Sequence, residues 1–294
     1  MGLNSAAAQN LASSTKVAPI WEDISPRWIL RLLPWVPVKA GIYRINQVTK
    51  PTQVIGEHLE GTRLPDGAAD YEANPNEITL ATLQTVVQVH TRIPDLFNSP
   101  HDQLREQIRL AVQALYEEKE RRTIASHSFG LLTLAAEKMR LQGSGGPPTP
   151  DDFDNLLGLV WKYPAFFVAH PRLIAAFGRE CNARGISLET VEMFGVPFST
   201  WRGVPIVPSD KLPITRREGK SEETSSVLLM RVGEQQQGVV GLHQEGVGDE
   251  NLPSMAIRFM GIDQEAVARY LVTSYFSLAV LANDALGVLH NVAL

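Results

Sequence analysis

The sequence of 294 residues is poor in cysteine, in long apolar runs and in positive charge. Its one cysteine, Cys181, cannot form an internal disulfide, which fits a reducing compartment and predicts a cytoplasmic location. The most apolar window, residues 270–281, is far shorter than the roughly 20 residues that cross a bilayer, and the first residues lack the pattern of a secretory signal. A net charge of −5 gives no reason to expect a nucleic acid or a membrane as partner.

Short catalytic motifs are also missing: there is no Walker loop, no dinucleotide glycine fingerprint, no HExxH and no GxSxG. One catalytic interpretation remains, in which Ser209, followed by Asp210 and Lys211, acts with a distant histidine such as His170. Serine and aspartate after a proline are also common turn formers, and we favour that role. Cys181 is expected to be a small buried hydrophobe. We therefore expect no catalytic, cofactor-binding or metal site, and no enzyme.

The most informative stretch runs from residue 193 to 213, MFGVPFSTWRGVPIVPSDKLP. Its four prolines exclude a helix, because each lacks an N–H and fixes φ. Two apolar runs, residues 196–201 and 204–207, flank Arg202-Gly203, which predicts two strands joined by a tight turn. Pro208-Ser209-Asp210 then predicts the end of the second strand.

Capping signals predict one long helix in the first half of the chain. Ser99-Pro100 provides a cap and a proline for the first turn. The helix is expected to run to about residue 125, with residues 117–122 as a solvated charged end. Its apolar face is expected to carry Leu104, Ile108, Ala111 and Leu115.

Four further helices are predicted from similar signals. Ser25-Pro26 predicts the start of a helix that runs for about two turns and ends before Pro34. Residues 129–141 are predicted to form another helix. After the glycine-rich break at residues 143–148, Thr149-Pro150 predicts another start. Pro171 opens the last helix, which Arg184-Gly185 is expected to end.

Strands are predicted on both sides of a long excursion. Apolar and polar residues alternate along residues 41–48, as in a half-exposed strand, and residues 77–93 are rich in Thr and Val, which favour strands. Residues 50–76 between them show no hydrophobic period. A strand, an excursion and a returning strand predict an extended β-arm. Further strands are expected at residues 227–232 and 238–244 about a polar turn, at 255–262 and at 270–281, whereas residues 215–226 are expected to be exposed.

Several segments carry a family resemblance. Besides WRGVPIVPSDKLP from Trp201, they are SPRWILRLLPWVPVKAGIYRINQV from Ser25, HTRIPDLFNSPHDQLREQIRL from His90, TPDDFDNLLGLVWKYPAFFVAHPRLIAAFGRE from Thr149 and YLVTSYFSLAVLANDALGVL from Tyr270. Together they resemble the second family of encapsulin shell proteins, and most of all the branch, family 2A-like, that encloses a cysteine desulfurase. The resemblance covers nearly the whole chain from Ser25.

The resemblance implies an α+β fold, the HK97-like phage capsid fold of tailed-phage major capsid proteins. It divides the chain into an N-terminal arm, a peripheral domain that holds the β-arm (E-loop, about 45–80) and the spine helix (about 99–125), a mainly axial domain and a return to the peripheral domain. The boundaries are 1–24, 25–148, 149–256 and 257–294. The residues alone leave open whether the first segment is a disordered end or an arm ordered by a neighbour.

The function implied is a self-assembling icosahedral nanocompartment shell, a homo-oligomer of about 60 copies built from repeated contacts. The implied cargo is a cysteine desulfurase of sulfur metabolism, held through its own disordered targeting segment. Pyridoxal phosphate belongs to that cargo, and no cofactor is expected in the shell. Two alternatives are a viral or prophage capsid protein that packages DNA and a soluble hydrolase that uses Ser209 or Cys181.

The resemblance also implies pores on the symmetry axes, and places the loop after the second axial helix near the fivefold axis. The candidate pore loop consists of Ala183, Arg184, Gly185, Ile186, Ser187 and Leu188. Arg184 is the residue best able to set the charge of the opening. The alternative is that Arg184 satisfies carbonyl groups at the end of its helix.

Overall fold

The computed structural model describes residues 24–46, 48–50, 69–90, 103–143, 145–216, 223–245, 250–252 and 254–294. Residues 1–23 of the predicted arm, most of the predicted E-loop and the predicted start of the long helix lie outside these ranges. The described residues form two large β-sheets, each with helices packed on it.

The helices among the described residues are α1 Trp28–Leu32, α2 Gln103–Ala125, α3 Leu131–Leu134, α4 Pro150–Leu159 and α5 Pro171–Ala183. Two 3₁₀ turns are Glu137–Met139 and Asn283–Ala285. The strands of the first half are β1 Trp35–Val38, β2 Ile42–Ile45, β3 Val48–Lys50, β4 Asp70–Tyr71, β5 Asn76–Thr79, β6 Ala81–His90, β7 Arg140–Gln142, β8 Phe166–Ala169 and β9 Glu189–Met193. Those of the second half are β10 Val196–Trp201, β11 Val204–Pro208, β12 Thr215–Arg216, β13 Glu223–Met230, β14 Val239–Gln244, β15 Glu250–Leu252, β16 Met255–Ile262, β17 Val267–Val280 and β18 Leu286–Ala293.

The first large sheet has six strands in the order β1-β14-β17-β16-β15, and β6 also pairs with β17. β17 is 14 residues long and pairs antiparallel with β6, β14 and β16. The predicted strand at residues 270–281 is therefore confirmed. Helix α2 packs on β6 and β17, where Leu115, Val272 and Phe276 share one core.

The second large sheet has eight strands in the order β7-β18-β13-β8-β11-β10-β9, and β12 also pairs with β13. Helices α4 and α5 cover it with an aromatic core. The Phe177 ring stacks on Phe153 with centroids 4.0 Å apart and meets Trp201 edge-on at 5.3 Å. Such ring pairs stabilise beyond the area they bury, by about 0.5–1.5 kcal/mol each.

Several local predictions are confirmed in this sheet. β10 and β11 form the expected hairpin, and its turn residues Arg202 and Gly203 have φ of 52° and 82°, as a type I′ turn requires. Thr149 and Asp152 form a capping box at the start of α4. Helix α5 begins at Pro171 as predicted, and Gly185 past its end has φ of 72°.

Two predicted helices are wrong in extent. Helix α1 begins at Trp28, and Ser25 is not its cap because Arg27 before it is left-handed, with φ of 53°. Residues 129–141 form only α3 and a 3₁₀ turn before β7. The reason is that Arg140 donates to the carbonyls of Thr133 and Ala135, while its backbone pairs with β18. Tertiary pairing overrides local helix propensity here.

The polar turn at residues 233–237 does not join the predicted strands 227–232 and 238–244 into a hairpin. The two strands exist as β13 and β14 but belong to different sheets, and only the single bridge Val232–Val239 joins their ends. Nor are residues 215–226 all exposed, because Thr224 and Ser225 are buried where β13 pairs with β18.

Small two-stranded sheets stand at the base of the predicted β-arm. β2 pairs antiparallel with β5, and β3 with β4. Along β2, Ile42 and Arg44 are exposed while Ile45 is buried, so the predicted half-exposed strand is confirmed.

Each large sheet takes strands from both sides of residues 148 and 256. β7 lies in the eight-stranded sheet, and β14 and β16 lie in the six-stranded sheet. Two connections, residues 231–238 and 281–285, run between the sheets. They meet where Arg231 Nη2 lies 2.7 Å from Asp284 Oδ1, and Asp284 also pairs with Lys162 at 2.8 Å.

Candidate functional site

The candidate pore loop closes helix α5 with a regular set of backbone hydrogen bonds. The Arg184 N–H donates to the Glu180 carbonyl at 3.2 Å, and the Ile186 N–H donates to the Cys181 carbonyl at 2.9 Å. Gly185 supplies the left-handed residue between them, so the last carbonyls of α5 are satisfied by the backbone. The loop therefore has a fixed shape.

The Arg184 side chain does not bind carbonyl groups. Its Nε lies 2.8 Å from Glu180 Oε1 and its Nη1 3.4 Å from Asp151 Oδ2. These two carboxylates hold the guanidinium and raise the pKa of Arg184. The side chain stays 40% exposed, so Arg184 presents its charge to solvent together with two acids.

A shallow cleft of about 310 Å³ lies beside this loop. Residues 186–189 form one wall, and the turn between β10 and β11 forms the other. Asp154 of α4 fixes that turn, because it accepts from Trp201 Nε1 at 2.7 Å and pairs with Arg202 at 3.0 Å. The candidate pore loop therefore lies beside the β10–β11 hairpin.

Ser209 is not arranged for catalysis. It is 4% exposed, and its Oγ lies 3.5 Å from Glu120 Oε1, not against a histidine. His170 caps helix α5, accepting from the Arg172 N–H at its Nδ1. Among the described residues no histidine hydrogen-bonds Ser209 Oγ, as the hydrolase interpretation would require, and the turn role of the Ser209-Asp210-Lys211 segment remains.

The turn at Lys211 instead joins a buried charged junction with helix α2. Lys211 Nζ lies 3.1 Å from Glu117 Oε2 and 2.7 Å from Asp210 Oδ2. Burial lowers the pKa of Lys211, but hydrogen bonds to Asp210 and Glu117 outweigh it and raise the pKa. The Lys211 side chain is 5% exposed and that of Glu117 8%.

The same junction anchors residues 24–33, which we call the N-terminal segment. Ser25 donates to Glu117 through its backbone N–H at 3.1 Å and its Oγ at 2.9 Å. Arg27 Nη1 lies 3.3 Å from Glu117 Oε1. Ser25 is thereby committed to α2, which explains why it does not cap α1.

Trp28 fixes the other side of the N-terminal segment. Its ring stacks on Phe194 with centroids 5.9 Å apart and meets Phe198 edge-on at 5.2 Å. Both phenylalanines belong to the β9–β10 hairpin region of the eight-stranded sheet. The segment therefore bridges α2 and that sheet.

Glu120 lies deepest in the charged junction, at 1% exposure. Burial, and next the charge of Glu117, raise the pKa of Glu120 to about 7. The Leu30 backbone, which hydrogen-bonds to the Glu120 carboxylate, opposes this shift. A carboxyl with such a pKa changes its protonation near neutral pH.

Lys119 points to a different environment. Its Nζ lies 4.0 Å from the centre of the Trp35 ring and 5.1 Å from that of Phe276. Burial lowers the pKa of Lys119 to about 8. The aromatic faces partly replace the water that the ammonium loses.

Residues 117–122 are therefore not the solvated charged end that the sequence predicts. Glu117, Lys119 and Glu120 are buried, and Arg121 and Arg122 are exposed. One signal could have shown part of this. The predicted apolar face continues from Leu115 by four residues to Lys119, so the helical period alone places Lys119 toward the core.

Cys181 is buried, as predicted, and burial raises the pKa of its thiol. Within the described ranges no group of three or more His, Cys, Asp or Glu side chains could hold a metal ion. No helix in the same part of the chain has the length and apolarity needed to cross a membrane.

Comparison with known proteins gives consistent matches over the chain. A family model for SrpI-like type 2A encapsulin shell proteins matches residues 44–294. The type 2A encapsulin shell protein SrpI of Synechococcus elongatus is 50% identical over 294 residues, covering 99% of this chain and 94% of that protein.

Solved structures agree with these matches. The cryo-electron microscopy structure of the holo-SrpI encapsulin complex from Synechococcus elongatus has a TM-score of 0.84 at 49% identity, covering 100% of this chain and 97% of that one. The capsid of an empty GTA particle has a TM-score of 0.67 at 14% identity, covering 99% and 100% of the two chains. The second likeness concerns the fold alone.

Proposed function

The chain belongs to the SrpI-like family of type 2A encapsulin shell proteins, and from this premise we propose that its nanocompartment encloses a pyridoxal-phosphate-dependent cysteine desulfurase. The family and the HK97-like α+β fold predicted from the sequence are confirmed. The protein is a structural component of an icosahedral shell and not an enzyme. Identity of 50% along almost the whole chain is the observation that carries the shell function.

The surface of the single protomer supports assembly with further copies. Phe259, Met260 and Ile262 at one end of β16 are 53%, 57% and 59% exposed. Exposed apolar side chains that follow one another along a strand are candidates for contact with a partner. Repeated contacts of one chain with itself close into a shell when the symmetry closes.

We assign the two sheets to the two regions of the capsid fold. The six-stranded sheet with α2 is the peripheral region, and the eight-stranded sheet with α4 and α5 is the axial region. In this assignment the candidate pore loop, residues 183–188, projects from the axial region toward the fivefold axis. Arg184 with its two carboxylate partners then sets the charge of the opening.

The cargo proposal rests on the resemblance of this chain to the desulfurase-enclosing branch. The shell retains the cargo by recognising a disordered targeting segment of the enzyme with its inner surface. The enzyme brings its own pyridoxal phosphate, and the shell contributes enclosure and selective entry of small molecules. The proposed setting is sulfur metabolism in the cytoplasm.

Co-expression with the desulfurase of the same organism tests the cargo proposal. We expect particles that co-purify with the enzyme, show the visible absorbance of the pyridoxal Schiff base and release alanine from cysteine. The matched control is the enzyme without its targeting segment, which should remain outside the particles. Particles that stay empty with the intact enzyme, or that contain nucleic acid, would contradict the proposal. Empty particles would leave the shell function intact.

A further inference from the structure

The buried junction brings together three parts of the chain that are distant in sequence. Helix α2 contributes Glu117 and Glu120, the turn after β11 contributes Ser209 and Lys211, and the N-terminal segment packs over both. Glu120 Oε1 lies 3.5 Å from Ser209 Oγ. Its Oε2 is buried without a hydrogen-bond partner among the described residues. An ionised carboxylate left in this state is costly.

Two carboxylates, Glu117 and Asp210, and one cation, Lys211, act on the Glu120 carboxyl, so the surrounding charges favour its neutral form. Glu117 and Asp210 are two carboxylates, and Lys211 and Arg27 are the two cations that pair with them. An ionised Glu120 would add a third negative charge beside these two carboxylates, of which Glu117 is buried and Asp210 is half exposed. A buried charge without a partner destabilises the packing around it.

Other charged groups nearby do not supply the missing cation. Lys119 faces the rings of Trp35 and Phe276 on another side of α2. Asp210 acts on His170, but burial, and next the charge of Arg172, lower the pKa of His170 and disfavour its cationic form. Among the described cations, Lys211 is the one that acts on the Glu120 carboxyl.

We propose that Glu120 carries a proton in the packed protomer, and that loss of this proton loosens the attachment of the N-terminal segment to helix α2. The carboxyl touches the N-terminal segment at the Leu30 backbone, whose hydrogen bond favours the ionised form but is outweighed by burial and the charge of Glu117. The mechanism is a pH-dependent clamp within each shell subunit.

The direction of the pH effect follows from the raised pKa of Glu120. The ordinary glutamate value is 4.5 and the value in the packed protomer is about 7. Stabilisation by the proton is therefore complete below the ordinary value and is lost as the pH rises through about 7. The N-terminal segment is held more tightly at pH 6 than at pH 9.

Hydrogen exchange of assembled particles tests the clamp. Protection factors for the N-terminal segment, corrected for intrinsic exchange rates, are measured near pH 6 and pH 9. For wild type we expect a loss of about tenfold between these pH values, from the linkage relation. Glu120→Gln should show no such loss. The matched control Glu118→Gln removes a half-buried carboxylate on the same helix and should behave as wild type. A tenfold loss that persists in Glu120→Gln would overturn the proposal.

A second measurement needs no variant and decides the matter if Glu120→Gln does not assemble. Infrared difference spectra of wild-type particles between the same two pH values report protonated carboxyl groups. We expect the C=O band of a buried carboxylic acid at the lower pH and its disappearance at the higher pH. Spectra without this band would show that Glu120 is ionised throughout and would overturn the proposal.

Discussion

Gly241 provides a sharp test of how β1 is seated on the six-stranded sheet. β1 pairs in parallel with β14, so that Trp35 lies opposite Gly241. A Cβ atom added at Gly241 would lie 2.5 Å from Trp35 Cε3 and 2.6 Å from Cδ2. Carbon atoms in ordinary contact are about 3.5–4.0 Å apart, so Gly241→Ala forces the ring to move by more than about 1 Å.

The Trp35 ring cannot move freely, and this sets the cost. Its Nε1 donates to the Leu30 carbonyl at 3.0 Å, and Lys119 Nζ lies on its face. Overpacking of this kind destabilises by about 1–3 kcal/mol. With an unfolding entropy of about 2.1 cal/mol/K per residue, a chain of 294 residues gives about 0.6 kcal/mol per kelvin. The expected fall in melting temperature is therefore about 2–5 K.

Differential scanning calorimetry of assembled particles measures this fall. All variants are scanned at one rate, because large assemblies unfold irreversibly and their melting temperature then depends on the scan rate. In a Trp35→Leu background the effect of Gly241→Ala should disappear, because the ring is gone. As a matched control, Gly158→Ala in α4 meets no atom within 4 Å and should not lower the melting temperature. An unchanged melting temperature for Gly241→Ala, or an equal fall in the Trp35→Leu background, would refute the reasoning.

Three further outcomes are expected. Arg184→Ala removes the cation that pairs with the carboxylates of Glu180 and Asp151. An encapsulated reporter reaction should therefore slow for an anionic substrate relative to a neutral one, and more so at low salt. Equal changes for both substrates would place Arg184 away from the pore. Thr149→Ala removes the capping box of α4 and should cost about 1 kcal/mol, or about 2 K, in calorimetry, whereas Thr149→Ser should not. Ser209→Ala should leave the background hydrolysis of ester and peptide substrates unchanged, and an activity that vanished in this variant would contradict the structural role of Ser209.

Elements whose signals are local were predictable from the sequence. The hairpin at Arg202-Gly203 depends on its own turn residues, and the start of α4 on Thr149 and its neighbours. β17 was predictable because its Val, Thr, Tyr and Phe side chains suit a strand that is buried on much of both faces.

Features that depend on distant partners were not predictable. Nothing near Ser25 shows that Glu117, 92 residues away, accepts its two hydrogen bonds. Residues 129–141 have a helical pattern, yet the backbone of Arg140 pairs with strand β18 instead. The buried charged junction was not predicted, for the same reason. Glu117 and Glu120 belong to a residue type that usually lies at the surface, yet both are buried.

The long strand β17 also determines how the protomer bears mechanical load. It is bonded to β6 and β16 along most of its length, and through residues 281–285 it continues into the eight-stranded sheet. A force transmitted along the chain from one sheet to the other therefore enters β17 at its end and loads its ladders in shear. In shear the hydrogen bonds must break together, and the crossing adds backbone hydrogen bonds from Arg231 to Ala285 and from Leu281 to Gly238 to the ion pair of Arg231 with Asp284. The two sheets also share a buried apolar core that includes Leu228, Phe276 and Leu286, so pulling them apart exposes apolar surface as well.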